Sequence, residues 1–239
     1  MKTEENLDNI SLPQFSRVRV DIGLSYTAPN SALWLNRFDD LLVVGVEPLP
    51  LNRDLVFDGD NKHWNPQLRV SMKDNAVKSG PNIVKKVEGS DFVLLPCALD
   101  NIEQRTKETF YQTRDDPGCS SLYKPVKFDT LAEIDVEVLP AKKVLESIFE
   151  KYKTIDFIKI DAQGKDFDII KNFGDLVCKV GYIYMETTVN GEYDFEEVSL
   201  EKIQTYMKSK KFKLVSNTVN DALWVNGDMD VSNIEPLYV

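Results

Sequence analysis

The chain has 239 residues and a formal net charge of −10, with 42% apolar and 28% charged residues. This composition is ordinary for a soluble globular protein, and we predict a single domain over residues 1–239. The acidic balance argues against nucleic acid as a partner. No apolar run reaches the ~20 residues that cross a bilayer. The polar N-terminus has no signal-peptide core, so we expect a cytoplasmic protein that does not bind membranes.

The cysteines and the histidine exclude two common kinds of site. Cys97, Cys119 and Cys178 are scattered, none lies in a CxxC motif, and His63 is the only histidine. Neither a zinc site nor a Ser-His-Asp triad is therefore expected. We assign no metal from these residues, and an odd set of free cysteines fits a reducing compartment.

The first structured stretch is a predicted strand–turn–helix–strand unit. Residues 17–21 form a short apolar strand that runs into Asp21-Ile22-Gly23. Helical positions follow Pro29, and a second apolar strand, Leu41 to Val46, ends at Glu47-Pro48. A βαβ unit with a glycine turn and an acidic residue after its second strand is typical of proteins that bind adenosine-containing cofactors.

The chemistry of this turn distinguishes between cofactors. Gly23 lets the backbone approach a ligand closely, and the Glu47 carboxylate can accept hydrogen bonds from ribose hydroxyls. The dinucleotide motif G-x-G-x-x-G is absent, because Asp21 and Tyr26 occupy its first and third glycine positions. A carboxylate repels a pyrophosphate but suits the amino group and sulfonium of S-adenosylmethionine. An ordinary parallel βαβ unit with a tight turn explains the same residues equally well.

The segments around this unit are less regular. We predict a loose arm over residues 1–15 and an insertion over residues 49–86 that includes a helix at residues 69–78. A third strand, DFVLL, spans Asp91 to Leu95. The polar residues 101–116 are predicted to form a mobile loop, because they show no apolar periodicity.

The second half of the chain alternates helices and strands. The predicted elements are a short strand in 126–134, a helix at 141–152, a strand at 155–160, a helix at 165–173, a strand at 181–185, a helix at 200–209 capped by Ser199, and strands at 212–215 and 222–225. The last two strands are joined by a short loop and should be antiparallel. This predicts a Rossmann-like α/β fold with a seven-stranded, mostly parallel sheet, one antiparallel strand and helices on both faces, as in class I methyltransferases.

Two acidic residues follow neighbouring strands of this predicted sheet. Asp161 follows the strand at 155–160, and Glu186 follows the strand at 181–185. Both carboxylates should face the cleft at the carboxyl ends of the strands, where one could act as a general base or both could hold a metal. Alternatively, Asp161 caps the turn before Gly164, and Glu186 is a solvated strand end. Lys159 points outward or pairs with an acid, and we give it no role.

Seven short motifs in chain order resemble those of the FkbM family of S-adenosylmethionine-dependent methyltransferases. They are VDIG at 20–23, VEP at 46–48, CAL at 97–99, GCSSL at 118–122, FDTL at 128–131, IDFIKIDAQGKDFDII at 155–170 and YMET at 184–187. The resemblance covers roughly residues 17–187. Its most specific piece is IKIDAQG, which corresponds to the family pattern K-I-D-x-E-G.

The resemblance implies bound S-adenosylmethionine and methylation of a hydroxyl on a sugar or other small metabolite. It implies that Asp21 and Gly23 line the methionine part of the cofactor, and that Asp161 lies close to the transferring methyl. With the strand-end argument above, we predict Asp161 and Glu186 as the catalytic residues. Glu47 would hold the ribose, and residues 97–99 would lie near the adenine. The full predicted cofactor set is Asp21, Ile22, Gly23, Ser25, Glu47, Pro48, Cys97, Ala98 and Leu99. Loops at 49–86 and 101–123 would shape the acceptor pocket.

The sequence departs from the family pattern at two places. In the turn D-x-G-A-N-x-G, Leu24, Ser25 and Thr27 replace the alanine, the asparagine and the second glycine. Gln163 replaces the acidic residue of K-I-D-x-E-G and keeps its shape without its charge. A non-catalytic S-adenosylmethionine- or nucleotide-binding protein on the same fold is therefore the alternative. A NAD-dependent oxidoreductase comes third, because the glycine spacing fails.

Overall fold

The computed structural model describes residues 7, 10, 12–58 and 90–238. Most of the predicted arm at 1–15, and most of the predicted insertion at 49–86 with its helix at 69–78, lie outside the described residues. Within the described part of the chain, no helix is long and apolar enough to cross a membrane.

The main sheet has seven strands in the order β3-β2-β1-β7-β8-β10-β9. Their bounds are Arg17–Ile22 (β1), Leu41–Val46 (β2), Asp91–Leu95 (β3), Ile155–Ile160 (β7), Val180–Glu186 (β8), Phe212–Asn217 (β9) and Asp221–Asn226 (β10). Strand β1 pairs in parallel with β2 and β7, while β10 runs antiparallel to both of its neighbours, β8 and β9. The predicted fold class, a mostly parallel seven-stranded sheet with one antiparallel strand, is confirmed.

A second, three-stranded sheet lies outside this prediction. It consists of Ala98–Asp100 (β4), Thr106–Thr113 (β5) and Thr130–Pro140 (β6), in the order β4-β6-β5. The prediction of a mobile loop over residues 101–116 is therefore wrong for β5, which pairs antiparallel with β6 along its length. Strand β5 escaped detection because most of its residues are exposed or half-buried, so it carries polar residues on both faces.

The described residues contain five α-helices, which flank the main sheet. Their bounds are Pro29–Arg37 (α1), Pro50–Asp58 (α2), Ala141–Phe149 (α3), Asp166–Phe173 (α4) and Leu200–Ser209 (α5). Helix α1 begins at a proline, whose missing N–H costs nothing in a first turn. Helix α5 is capped by Ser199, which accepts a hydrogen bond from the Lys202 backbone N–H, as predicted.

The core has two apolar layers because successive strand residues point to opposite faces. Leu42 and Val44 of β2 pack on the face covered by α3, α4 and α5. Leu41 and Val43 pack on the opposite face with Trp34 of α1. The predicted arrangement of helices on both faces is thus confirmed.

The C-terminal segment, residues 234–238, completes the face that α1 covers. Arg19 of β1 is fully buried there, over the rings of Trp34 and Phe38. Its guanidinium donates to the carbonyl oxygens of Glu235 at 2.5 Å and Leu237 at 3.4 Å, and Trp34 Nε1 donates to Leu237 O at 2.6 Å. Burial lowers the pKa of Arg19 to about 10.

Candidate active site

A cavity opens at the carboxyl ends of β1, β2 and β7, where an open α/β sheet usually binds its ligand. It encloses about 480 Å³, part of it open to solvent. It has the size of a small-molecule site. The following predicted cofactor residues line it: Ile22, Gly23, Ser25, Glu47, Pro48, Cys97, Ala98 and Leu99. Asp161 also lines this cavity.

The glycine turn forms one wall of the cavity and needs a glycine for two reasons. Gly23 has a φ of +72°, and a Cβ at this position would lie 1.8 Å from the Asp161 carbonyl oxygen. The backbone N–H groups of Gly23 and Leu24 both donate to Val46 O, at 3.0 and 3.3 Å. The turn is thus wedged between the ends of β2 and β7. Ser25, which replaces the family asparagine, also has a positive φ of 58°, a conformation that asparagine adopts more readily.

Asp21 lies behind the cavity wall instead of in its lining. Its side chain is fully buried, and Oδ2 accepts from the Ser31 backbone N–H at 3.0 Å and from Ser31 Oγ at 2.6 Å. Burial raises the pKa of Asp21. The structure therefore does not bring Asp21 together with the other predicted cofactor residues. Its contacts tie the end of β1 to α1, and direct contact with a cofactor stays a prediction.

Lys159 is the central residue that the sequence analysis left without a role. Its Nζ donates to Gly23 O at 2.6 Å and lies 3.6 Å from Asp21 Oδ1 and 3.5 Å from Asp161 Oδ2. Burial favours the neutral amine, but Asp161 and Asp21 together raise the pKa of Lys159 above its ordinary value. One buried ammonium thus holds the glycine turn and two carboxylates. Of the two alternatives given for Lys159, pairing with an acid is the one that the structure shows. A lysine within an otherwise apolar strand is the sequence signal that could have identified it.

Glu47 lines the cavity at the end of β2. Its Oε2 accepts from the Ser25 N–H at 3.0 Å, and its Oε1 accepts from the Leu49 N–H at 2.9 Å. Burial raises the pKa of Glu47 to about 7, against the opposing effect of these hydrogen bonds. Each carboxylate oxygen has two lone pairs. A carboxylate held by two backbone donors therefore keeps acceptor capacity for ligand hydroxyls.

Asp161 follows β7 directly and has a half-exposed side chain in the cavity, with 42% of its surface accessible. Its backbone N–H donates to Ile22 O at 3.0 Å, and Gln163 Nε2 donates to its Oδ1 at 2.6 Å. The alternative that Asp161 caps the following turn is wrong. The capping carboxylate is Asp166, which accepts from the N–H groups of Ala162 and Gly164, both at 3.2 Å.

Glu186 ends the neighbouring strand β8, as predicted, but it lines a different cavity of about 320 Å³ together with Asp166. Its Oε2 is buried and has no hydrogen-bond partner among the described residues. Burial, with Asp166 and Asp161 nearby, raises the pKa of Glu186 to about 10. The raised pKa favours the protonated form of Glu186, and a catalytic role for this residue stays a prediction. Among described residues, no cluster of three or more metal-ligating side chains is found.

A short 3-10 turn, Pro117–Cys119, covers the cavity from the side of the second sheet. Asn52 Nδ2 donates to Pro117 O at 3.3 Å, and a Cβ on Gly118 would lie 2.8 Å from Ser25 Oγ. The region predicted to shape a pocket thus lies against the glycine turn. Lys165 also lines the cavity, and its Nζ is 2.6 Å from Asp100 Oδ2. Sequence reasoning missed both residues: Asn52 belongs to none of the seven motifs, and Lys165 lies within the motif at 155–170 but was given no role.

Comparison with known families adds the chemistry. A family model described as the methyltransferase FkbM domain matches residues 26–214. The chain belongs to the FkbM methyltransferase family. The match confirms the resemblance noted in the sequence and covers most of the chain, so the cavity belongs to a methyltransferase domain. The match begins at residue 26, so the glycine turn at Gly23 lies outside it. The evidence for that turn is its geometry in the structure. A search among curated proteins found no match.

Proposed function

We propose that this FkbM-family protein is an active S-adenosylmethionine-dependent methyltransferase that methylates a hydroxyl of a sugar or other small metabolite. The observation that carries the proposal is the cavity that gathers Gly23, Glu47 and Asp161 at the carboxyl edge of the sheet. We also propose that residues 1–239 form one domain, and that the protein acts in the cytoplasm on an acceptor other than nucleic acid.

The lining of this cavity fits the cofactor group by group. Glu47 offers acceptor oxygens to the ribose hydroxyls, and the apolar residues 97–99 offer a surface for the adenine. The glycine turn lines the cavity at Gly23, where we place the methionine part. Bound S-adenosylmethionine supplies an electrophilic methyl group on a sulfonium. The protein must then orient the acceptor and remove its proton.

Asp161 is the residue we propose as the general base. It is half-exposed in the cavity, so an acceptor hydroxyl can reach its carboxylate. Lys159 Nζ lies 3.5 Å from Asp161 Oδ2 and holds this carboxylate at the end of β7. Glu186, the other predicted catalytic residue, is proposed to shape the edge of the neighbouring cavity, because it lines that cavity and burial raises its pKa.

The departures from the family pattern do not obstruct the cavity. Leu24 is fully buried in the layer that contains Trp34, and neither Leu24 nor Thr27 lines the cavity. The two lysines near the site, Lys159 and Lys165, are each engaged with carboxylates, which leaves a pyrophosphate without a partner from them. These observations favour a methyltransferase over both the non-catalytic binding protein and the NAD-dependent enzyme.

The test begins with binding. Isothermal titration should show S-adenosylmethionine binding to the whole protein. Absence of heat and of any thermal shift at millimolar ligand would end the proposal, and NADH fluorescence enhancement would revive the oxidoreductase.

Turnover is then measured as S-adenosylhomocysteine release with a panel of sugars and hydroxylated metabolites. Asp161→Asn should lower turnover by about 10² or more, and affinity for S-adenosylmethionine by a much smaller factor. Asp168→Asn on α4, outside the cavity lining, is the matched control. A full-rate Asp161→Asn enzyme would remove the general-base role. Cofactor binding without turnover for any acceptor would instead favour the binding protein.

A further inference from the structure

The side chain of Gln163 joins two groups that do not otherwise meet. Its Nε2 donates to Asp161 Oδ1 at 2.6 Å, and its Oε1 accepts from the Tyr193 hydroxyl at 2.6 Å. The orientation of the amide follows from its partners, because a carboxylate only accepts hydrogen bonds and must face the NH₂ group. Gln163 is therefore fixed between the base proposed above and a buried tyrosine.

The backbone of Gln163 is also held. Its φ is +51°, in the left-handed region, and its carbonyl oxygen accepts from Ser121 Oγ at 2.7 Å. Tyr193 is only 3% exposed, and its hydroxyl lies 2.7 Å from Cys119 O as well. A non-glycine residue keeps such a backbone conformation only where its surroundings enforce it, and these sites often serve function. The carboxamide is thus positioned rigidly from the side opposite Asp161.

Asp161 needs such support because its carboxylate is half-exposed. One oxygen, Oδ2, lies 3.5 Å from Lys159 Nζ, and the other is held by Gln163. A glutamate at position 163 would place two carboxylate oxygens at this short distance, where like charges repel. The neutral amide donates to Asp161 without competing with it for a proton. The replacement of the family's acidic residue by Gln163 therefore gives Asp161 a neutral hydrogen-bond donor in place of a second carboxylate.

We infer that Gln163 is a positioning residue which, braced by Tyr193, fixes the Asp161 carboxylate toward the cavity and so sets the cavity's discrimination between a sulfonium and a neutral thioether. The inference rests on the proposed function, because it requires that S-adenosylmethionine binds in this cavity. A fixed carboxylate attracts the cationic sulfonium, whereas a carboxylate free to rotate into solvent attracts it less. S-adenosylhomocysteine has no positive charge on sulfur and is the natural reference ligand.

The experiment measures both ligands by isothermal titration on the full chain. Gln163→Met, which keeps the length of the side chain, should lower the ratio of S-adenosylmethionine affinity to S-adenosylhomocysteine affinity by about fivefold. Affinity for S-adenosylhomocysteine should change by less than about twofold. Asp161→Asn should lower the ratio at least as far. The double variant should fall no lower than Asp161→Asn alone, because Gln163 acts through Asp161.

Two further variants complete this test, one in the brace and one as a control. Tyr193→Phe removes only the brace and should lower the ratio by a smaller factor, with no effect in the Asp161→Asn background. Gln204→Met on α5, outside the lining of both cavities, should change neither affinity. The melting temperature of each variant reports whether it is folded. If Gln163→Met does not fold, Tyr193→Phe is the variant that tests the inference.

The outcomes separate the two proposals. If the wild-type protein binds neither ligand, the proposed function fails and takes this inference with it. If both ligands bind but Gln163→Met and Tyr193→Phe leave the ratio unchanged, the inference alone is overturned. Additive losses in the double variant would also overturn it, since Gln163 would then act independently of Asp161.

Discussion

Among the glycines in the described part of the chain, Gly23 leaves the least room for a Cβ. A Cβ there would lie 1.8 Å from Asp161 O, and φ is +72°. At Gly191 φ is +67°, but a Cβ would meet nothing within 4 Å among the described residues beyond its chain neighbours. Gly191→Ala should therefore cost only the left-handed strain of about 1 kcal/mol. Gly23→Ala should cost more than about 3 kcal/mol, because the backbone must also move. Urea unfolding of both variants measures the difference, and equal losses would contradict the wedged turn.

Glu47 allows a test of the cofactor's position. Glu47→Ala removes a buried acceptor that we propose holds two ribose hydroxyls. Hydrogen bonds to a charged group contribute about 1.5–3 kcal/mol each, so affinity for S-adenosylmethionine should fall at least tenfold. Isothermal titration measures the change, with melting temperature as the folding control. Glu103→Ala, an exposed carboxylate outside the cavity, should bind normally. Unchanged affinity in a folded Glu47→Ala variant would move the ribose elsewhere.

For single residues, sequence analysis predicted the positions that depend on local structure alone. Glu47 and Asp161 were placed correctly in the cavity because each follows an apolar strand directly. The contact between Gln163 and Tyr193 joins residues 30 positions apart through a loop. Whether these two residues meet depends on how that loop packs, and no periodicity in the sequence predicts that packing. The inward position of Asp21 was missed because its partner, Ser31, lies on the following helix.

Among the elements, the C-terminal segment should contribute strongly to stability. It supplies the carbonyl oxygens of Glu235 and Leu237 to the buried Arg19 guanidinium. Deleting residues 234–239 would remove both hydrogen-bond acceptors of a buried cation, and we expect a loss of about 3–5 kcal/mol. Urea unfolding measures this loss in the free energy of unfolding. In an Arg19→Met background the same deletion should cost clearly less. Equal costs in the two backgrounds would show that Arg19 does not depend on the segment.

The elements predicted best are the buried ones. The predicted bounds of β2, β3 and β7 agree with the structure because these strands are almost continuously apolar and are enclosed on both faces. Strand β5 has the sequence TKETFYQT, in which β-forming residues alternate with charges but give no apolar face. Its pairing with β6 is a long-range contact. Propensity alone did not separate it from a loop.

For the whole molecule, buried carboxyl groups set the pH dependence of stability. Burial raises the pKa of Glu47 and Asp166 to about 7 and that of Glu186 to about 10, from ordinary values of 4.5, 3.8 and 4.5. Because the folded state binds protons more tightly, this contribution to stability is complete below the ordinary values. It is lost as pH rises through 7 and then through 10. The melting temperature should therefore fall steadily between pH 5 and pH 9.

Differential scanning calorimetry across this range checks the prediction. Glu186→Gln, which mimics the protonated acid, should lose the part of the decline above about pH 8 and keep the part near pH 7. Exposed carboxyl groups with lowered pKa values, such as Asp40 and Asp175, act only at more acidic pH. A melting temperature that rises from pH 5 to pH 8 would contradict the assigned burial effects.

The position of β1 in the interior of the sheet, between β2 and β7, has a consequence for synthesis. Strand β1 pairs with β2 on one side and β7 on the other, and the Lys159 to Gly23 contact spans 136 residues. Ribosomes add about 5–20 residues per second, so a nascent chain holds β1 with one edge unpaired for roughly ten seconds. An open strand edge invites pairing with another chain. Protection of that edge during translation is therefore where a chaperone would matter most for this protein.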